Sequence, residues 1–119
     1  MATILLVEDD MLLAECYARW LQAGGHTAVH VTGAQAALDA LDEAIPDVII
    51  LDMLLHGATG VQLLHTVRSY SDFAAIPIVV CSNALPAKIP DMSAYGVKRV
   101  VDKTTLTRRR LRDIIAEVL

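Results

Sequence analysis

The chain has 119 residues, of which 55% are hydrophobic, so it is long enough for one domain with a real core and is not a disordered polymer. Its formal net charge of −4 argues against nucleic acid as the main partner, since phosphate binding usually needs a basic face. Acids follow the first apolar run at once and no apolar run has the length of a membrane span, so we expect a cytoplasmic protein without a signal peptide.

Short apolar runs alternate along the chain with segments whose apolar residues recur at helical spacing. Gly24 and Gly25 end the first helical pattern, and Pro46 follows the second. The last helix is expected to begin near Thr104 or Thr105, because either threonine can cap it. The predicted strands are 3–7, 27–31, 47–51, 76–81 and 97–101, and the other predicted helices are 12–21, 33–44 and 61–70.

Strict alternation of strands and helices predicts an α/β fold with a parallel sheet and helices on both of its faces. Five strands in the order 2-1-3-4-5 give the flavodoxin-like architecture, as a single domain over residues 1–119. One connection departs from the pattern, because Pro86 and Pro90 interrupt the segment between the fourth and fifth strands. Proline breaks a helix interior, so the fourth helix is expected to be short or irregular, with Pro90 as its first residue.

Polar side chains stand at the carboxyl ends of four of the five predicted strands. Neighbouring strand ends lie about 5 Å apart, so the acids after the first and third strands would share one crevice. Carboxylates that close together either have raised pKa values or hold a cation, and carboxylates with water suit magnesium better than calcium. The acids are Glu8, Asp9, Asp10 and Asp52, with Ser82 after the fourth strand and Lys103 after the fifth.

Four segments of this pattern, ILLVEDD, VIILDMLLHGATG, IPIVVCSN and GVKRVVDK, resemble the receiver domain of bacterial two-component response regulators. The resemblance spans essentially the whole chain and implies that Asp52 is the phosphoacceptor. It also implies that Ser82 and Lys103 bind the phosphoryl group and that Gly60 closes the acceptor loop before the third helix. The implied Mg²⁺ ligands are the side chains of Glu8, Asp9 and Asp52, with Glu8 acting through water, and the backbone carbonyl of Leu54.

The resemblance implies a phospho-accepting switch and not an enzyme that turns over a free metabolite. A histidine kinase or a histidine phosphotransfer protein would donate the phosphoryl group to Asp52 with the help of magnesium. A downstream protein or an attached output domain would then read the phosphorylation, and homodimerisation is compatible with the sequence. Direct contact with nucleic acid and insertion into a membrane are not expected.

Four residues depart from the family's usual pattern. His56 stands where proline is frequent, Asn83 where a small residue is common, and Thr104 where proline usually forms a cis linkage. The family typically has Tyr or Phe at the position of Val100, and a valine cannot swing a ring between buried and exposed poses. The usual output route is therefore in doubt, and an order–disorder change near the fourth helix is an alternative.

Two other functions are alternatives to the phospho-accepting switch. A receiver-like adaptor that signals by protein contact alone is kept open by Val100 and by the interrupted fourth helix. A flavin-binding electron carrier on the same fold would need a loop rich in Ser, Thr or Gly after the first strand. The acids at 8–10 repel phosphate there, so the carrier is set aside.

Several residues outside this pattern carry separate expectations. The RRRLR segment at 108–112 puts cations near the start of the last helix, against its dipole, and is either a docking patch for a partner or a solvated face. Cys16 and Cys81 lack CxxC spacing and are expected to be reduced thiols. Tyr17 and Trp20 are expected in the core, and the histidines His26, His30 and His65 on the surface or at a strand edge.

Overall fold

A computed structural model of the protein describes residues 1–55, 58–82 and 95–119, with the backbone alone at 54–55 and 58–59. The helices are α1 (Met11–Ala23), α2 (Ala34–Glu43), α3 (Gly60–Ser69) and α4 (Arg108–Val118). The strands are β1 (Thr3–Val7), β2 (Thr27–Val31), β3 (Val48–Asp52), β4 (Leu54–Leu55), β5 (Ala58–Thr59), β6 (Ile78–Ser82) and β7 (Val97–Asp102). Each of the five predicted strands is present with its bounds within two residues of the prediction.

Five strands form one parallel sheet in the order β2-β1-β3-β6-β7, which confirms the predicted 2-1-3-4-5 order. The central strand β3 is buried along its whole length, which explains why its sequence is a continuous apolar run. Asp52 pairs in register with Cys81, and Ser82 pairs with Asp102. The last residues of these strands therefore lie at one edge of the sheet.

The core has two parts, one on each face of the sheet. Helices α1 and α4 cover one face through residues such as Tyr17 and Ile115, and α2 and α3 cover the other through residues such as Leu41 and Leu64. Burying one such aliphatic side chain contributes about 1.5–3 kcal/mol. The prediction for Tyr17 is confirmed, and Trp20 is half-buried against the same cluster.

The start of α4 differs from the prediction. Residues Lys103–Thr105 form a single 3₁₀ turn, and the helix begins at Arg108 with Thr107 as its cap, whose hydroxyl accepts from the Arg110 amide at 3.1 Å. Thr104 is not a cap, because its amide and hydroxyl both donate to the Asp102 carboxylate, at 2.9 and 2.7 Å. The buried side chain of Leu106 follows before the helix starts, and the Lys103–Thr104 peptide bond is trans.

The ends of α1 follow the sequence signals. Asp10 caps the helix, and its carboxylate accepts from the amides of Leu12 and Leu13 at 3.0 and 3.1 Å. Gly25, just beyond the helix, has a φ of 88°, which suits glycine. None of the described helices is long and apolar enough to cross a bilayer. The predicted short fourth helix, with Pro86 and Pro90, lies outside the described residues, as do His56 and Asn83.

Candidate functional site

Three buried charged side chains meet at the carboxyl edge of the sheet. The Lys103 ammonium donates to both carboxylate oxygens of Glu8, at 2.7 and 2.8 Å, and lies 3.1 Å from Oδ2 of Asp52. Their exposed fractions are 2% for Glu8, 6% for Asp52 and 9% for Lys103. Burial of charge at this level is tolerated only when the groups pair with each other. The sequence-predicted acids and lysine are thus brought into direct contact.

Three carboxylates at this edge form a group that could hold a metal ion. Glu8, Asp9 and Asp52 each offer one oxygen within 4.8 Å of the others. Asp9 is half-buried, so the group opens towards solvent on its side. Carboxylate oxygens with room for water are the donors that Mg²⁺ prefers, so the residues present fit that ion.

The electrostatics of the site follow from burial and from the Glu8–Lys103 pair. Burial raises the pKa of Glu8 to about 7, and the charge of Asp52 acts in the same direction, while the hydrogen bond from Lys103 lowers it. Burial also opposes the charge of Lys103, but its hydrogen bonds to Glu8 and Asp52 together leave its pKa raised. Lys103 therefore stays charged at neutral pH, while Glu8 titrates near neutrality.

The backbone after Asp52 is held against the start of α3. The Gly60 amide donates to the Met53 carbonyl at 2.9 Å, and a Cβ at position 60 would lie 2.8 Å from the Met53 Cα. No side chain fits at that distance, which is the physical reason for a glycine here. The short ribbon of β4 and β5 joins the two, and it pairs Leu54 with Thr59.

Ser82 stands at the same edge, as predicted. It is the last residue of β6 and is half-buried, one residue beyond the level at which Asp52 pairs with Cys81. Its register partner is Asp102, and Lys103 follows directly. The structure therefore gathers Glu8, Asp9, Asp52, Ser82 and Lys103 at one end of the sheet.

Two nearby acids form local hydrogen bonds and lie outside the group of Glu8, Asp9 and Asp52. Asp10 caps α1, and Asp102 accepts from Thr104 at the start of the 3₁₀ turn. The hydrogen bonds from Thr104 lower the pKa of Asp102. Both carboxylates therefore stabilise local backbone next to the site.

His30 supports the site through a contact that its sequence position does not predict. Its Nε2 donates to the backbone carbonyl of Glu8 at 2.7 Å, and the Glu8 amide donates to the Val31 carbonyl at 3.1 Å. Two hydrogen bonds with β2 therefore fix the backbone of Glu8. Only the β1–β2 register could have indicated this contact, because His30 has no ligand-like spacing in the sequence.

Cys81 lies beside Asp52 as a buried free thiol, and Cys16 is also free, which confirms the prediction of two unpaired cysteines. Burial raises the pKa of Cys81 to about 12, so its sulfur stays protonated and unreactive at neutral pH. Burial likewise raises the pKa of the Tyr17 hydroxyl. Both residues belong to the core cluster on the α1–α4 side of the sheet.

Val100 is a half-buried residue of β7 that packs against the α2–α3 side of the core, and it pairs in register with Val80.

An aromatic contact that the sequence does not predict joins α3 to the segment before β7. The ring of Tyr95 meets the ring of His65 edge-on at 4.7 Å, with 3.2 Å between the hydroxyl and Nε2. His65 is exposed, as expected, but it is tied to the start of β7.

Comparison with protein families and curated proteins gives a consistent result. Residues 4–116 match the family model described as the response regulator receiver domain. The chain is 34% identical over 80 residues to the sensory transduction protein RegX3 of Mycobacterium tuberculosis, covering 67% of this chain and 34% of RegX3. It is 35% identical over 102 residues to the response regulator protein FleR of Pseudomonas aeruginosa, covering 85% of this chain and 19% of FleR. The chain thus spans about a third or less of these two relatives.

Solved structures agree with this comparison. The chemotaxis response regulator CheY4 of Vibrio cholerae superposes with a TM-score of 0.90 at 26% identity, covering 100% of this chain and 99% of that one. A CheY-like receiver domain from Methylobacillus flagellatus has a TM-score of 0.87 at 20% identity, covering 100% and 99% of the two chains. At that lower identity the likeness concerns the fold alone.

Proposed function

The chain belongs to the response regulator receiver domain family, and from this premise we propose that Asp52 accepts a phosphoryl group as the switch of a two-component pathway. The observation that carries the proposal is the contact between Lys103 and Asp52, 3.1 Å apart within a buried acidic group. A cation at that distance lowers the repulsion that an incoming phosphoryl group would meet. Receiver domains are signalling domains, so no free metabolite is turned over.

The proposed donor is a phosphohistidine on a kinase or a histidine phosphotransfer protein. The P–N bond of the donor breaks as one Asp52 oxygen forms a P–O bond, and the histidine leaves as a neutral imidazole after taking up a proton. A carboxylate is a modest nucleophile, but this reaction depends mainly on in-line positioning and charge neutralisation. The β3–α3 contact at Gly60 supports the positioning of Asp52.

Charge neutralisation falls to the residues around Asp52. Glu8, Asp9, Asp52 and the Leu54 carbonyl would hold Mg²⁺, which when bound would offset negative charge on the phosphoryl oxygens. Lys103 would exchange a bond to Glu8 or Asp52 for one to a phosphoryl oxygen, and the Ser82 hydroxyl would donate to another. Attack of water on phosphorus would then release phosphate and return Asp52 to its free form.

The receiver-like adaptor is not favoured as an alternative. An adaptor that signals by contact alone has no need for a buried lysine bonded to two carboxylates, and such a group is costly to bury. We propose instead that phosphorylation is read by an attached output domain or a downstream protein in the cytoplasm. With Val100 in place of an aromatic residue, that reading would not depend on a rotating ring.

Intact-mass measurement after incubation with magnesium and acetyl phosphate tests the proposal. We expect an increase by the mass of one phosphoryl group in the parent protein and none in Asp52→Asn. Asp42→Asn, an exposed acid on α2, is the matched control and should be labelled like the parent. Failure to label the parent, under conditions that label an authentic receiver domain, would overturn the proposal in favour of the adaptor.

A further inference from the structure

A groove runs along the seam between α1 and α4, on the face of the sheet opposite α2 and α3. It has a volume of about 500 Å³, and a second hollow continues it along α1 towards Leu12. Trp20, Ala23 and Arg108 line both hollows, so they form one continuous feature. None of these lining residues belongs to the group around Asp52. We call this feature the arginine groove; Gly24, Arg109 and Arg112 complete the wall of its first hollow.

The arginines of this groove differ in how they are paired within the chain. Arg19 pairs with Glu15 at 2.8 Å, and Arg112 lies 3.3 Å from Asp113. Arg108 and Arg109 are exposed and form no ion pair with any described residue. The first turn of α4 also holds no acidic residue, so these cations oppose the helix dipole without local compensation. An anion supplied from outside would relieve that repulsion.

The distribution of charge over the chain selects the kind of anion. Residues 108–112 carry four of the ten basic residues and no acid, so the remainder of the chain has six basic residues against fourteen acidic ones. A long polyanion such as duplex DNA, or an extended anionic membrane, would meet that acidic remainder beside the patch. A short acidic segment can bind within the basic stretch alone and does not meet the acidic remainder of the chain.

The groove also offers an apolar wall. Trp20 is half-buried, packed against the core and against the ring of Tyr17, and its remaining surface faces the groove. Tryptophan and arginine side by side are the residue types that most often carry binding energy at protein interfaces. We propose that the arginine groove docks an acidic peptide segment of a partner protein, with an apolar anchor residue against Trp20 and carboxylates against Arg108 and Arg109.

Trp20 is the only tryptophan of the chain, so its fluorescence reports on this groove directly. The probe is a short synthetic peptide of glutamate and leucine at helical spacing, titrated into the full chain. A lysine–leucine peptide of the same length, which has the opposite charge, is the control. We expect a saturable change in emission with the acidic peptide alone, weakened as salt rises. The measurement involves no phosphoryl donor, so its failure leaves the function proposed above intact.

Arg108→Glu and Arg110→Glu form a matched pair. Both residues are exposed, both lack an ion pair to a described residue, and they lie on the same helical turn, but Arg110 does not line the groove. We expect Arg108→Glu to weaken peptide binding about tenfold or more, and Arg110→Glu to weaken it less than about threefold. Circular dichroism of both variants checks that the fold is retained.

Three results would overturn the proposal. The first is the absence of saturable binding, and the second is an equal loss in both variants, which would indicate general attraction between charges. The third is tighter, Arg108-dependent binding of duplex DNA or of phosphatidylserine vesicles, which would assign the groove to a different class of partner.

Discussion

The basic side chains at two places in this protein differ in burial and in ion pairing. Lys103 is 9% exposed and makes three contacts of 3.1 Å or less with carboxylate oxygens. Arg108 and Arg109 are exposed, stand at the positive end of a helix, and lack an ion pair to any residue that the structure describes. Lys103 is therefore compensated within the fold, while the two arginines have no such partner among the described residues.

The difference follows from the cost of burial. A buried ammonium loses its hydration and must recover that free energy from partners in the same fold. An exposed guanidinium keeps its water, and its unfavourable position at a helix N-terminus costs only about 0.3–1 kcal/mol. The buried group is therefore suited to a fixed chemical task, and the exposed group can be retained for contact with another molecule.

Replacing Lys103 tests the buried charges directly and is expected to have the largest effect on stability. Lys103→Ala leaves Glu8 and Asp52 buried without their cation, so we expect the free energy of unfolding at pH 8 to fall by about 3–5 kcal/mol. Urea denaturation measures it, with Lys98→Ala, an exposed lysine of the preceding strand β7, as a control that should change by less than about 0.5 kcal/mol. Magnesium should restore part of the loss, since it supplies positive charge to the same carboxylates. Equal stability of the two variants would contradict the structural role of Lys103.

Gly60→Ala tests whether the buried group also depends on close backbone packing. The added Cβ would meet the Met53 Cα at 2.8 Å and the Asp52 carbonyl at 3.0 Å, so we expect a loss of about 1–3 kcal/mol and slower phosphorylation. Gly33→Ala is the matched control, because a Cβ there meets no atom within 4 Å and the φ of −153° suits any residue. If the Gly60 variant were as stable and as quickly labelled as the Gly33 variant, the close contact between Gly60 and Met53 would not be needed to position Asp52.

The pH dependence of stability tests the buried group separately, because that group contains Glu8, whose pKa is raised to about 7. The pKa of Glu8 is raised to about 7 in the fold, so the folded protein binds a proton that the unfolded chain has already lost. Without metal, the free energy of unfolding should therefore fall by about 1 kcal/mol as pH rises from 6 to 8. Thermal unfolding of the parent and of Glu8→Gln measures this slope. Glu15→Gln, an exposed acid on α1, should keep the slope of the parent, whereas an unchanged slope in Glu8→Gln would assign the titration to another group.

The smallest expected effect is an increase in the free energy of unfolding, caused by charge reversal at Arg108. Charge reversal at Arg108 removes a cation from the first turn of α4 and adds an anion there, so we expect Arg108→Glu to stabilise the protein by about 0.3–1 kcal/mol. Arg110→Glu should behave similarly, because stability depends on the helix dipole and not on the groove. Denaturation at low and high salt checks the electrostatic origin of the gain. A loss of stability in Arg108→Glu would mean that the arginine has a structural partner.

Much of this arrangement could be predicted from local patterns. The five strands and the first three helices were found because apolar periodicity reflects which faces are buried. The cap that Asp10 forms on α1 is likewise local, because it involves amides only two or three positions away. The start of the last helix was predicted wrongly, at Thr104 or Thr105. Three threonines precede Arg108, and only the turn that Asp102 stabilises decides which one caps it.

Contacts between distant segments were less accessible to prediction. The support of Glu8 by His30 depends on strand register, and the pairing of His65 with Tyr95 depends on how α3 lies against the segment before β7. The sequence indicated a basic stretch at 108–112 but could not separate Arg108 from Arg110. That separation requires the position of α1, since only Arg108 of the two lines the groove together with Trp20.

The sequence by itself determined the alternation of strands and helices, the identity of the acids and the lysine at the strand ends, and the family resemblance. These are properties of short segments, since burial on one face or two imposes its own periodicity. Only the tertiary structure decided that Lys103 bonds to Glu8 and Asp52 together while Asp102, its neighbour, turns away to a local bond with Thr104. The physical reason is distance: a charge is compensated by whatever lies within a few ångströms, and strand packing sets those distances.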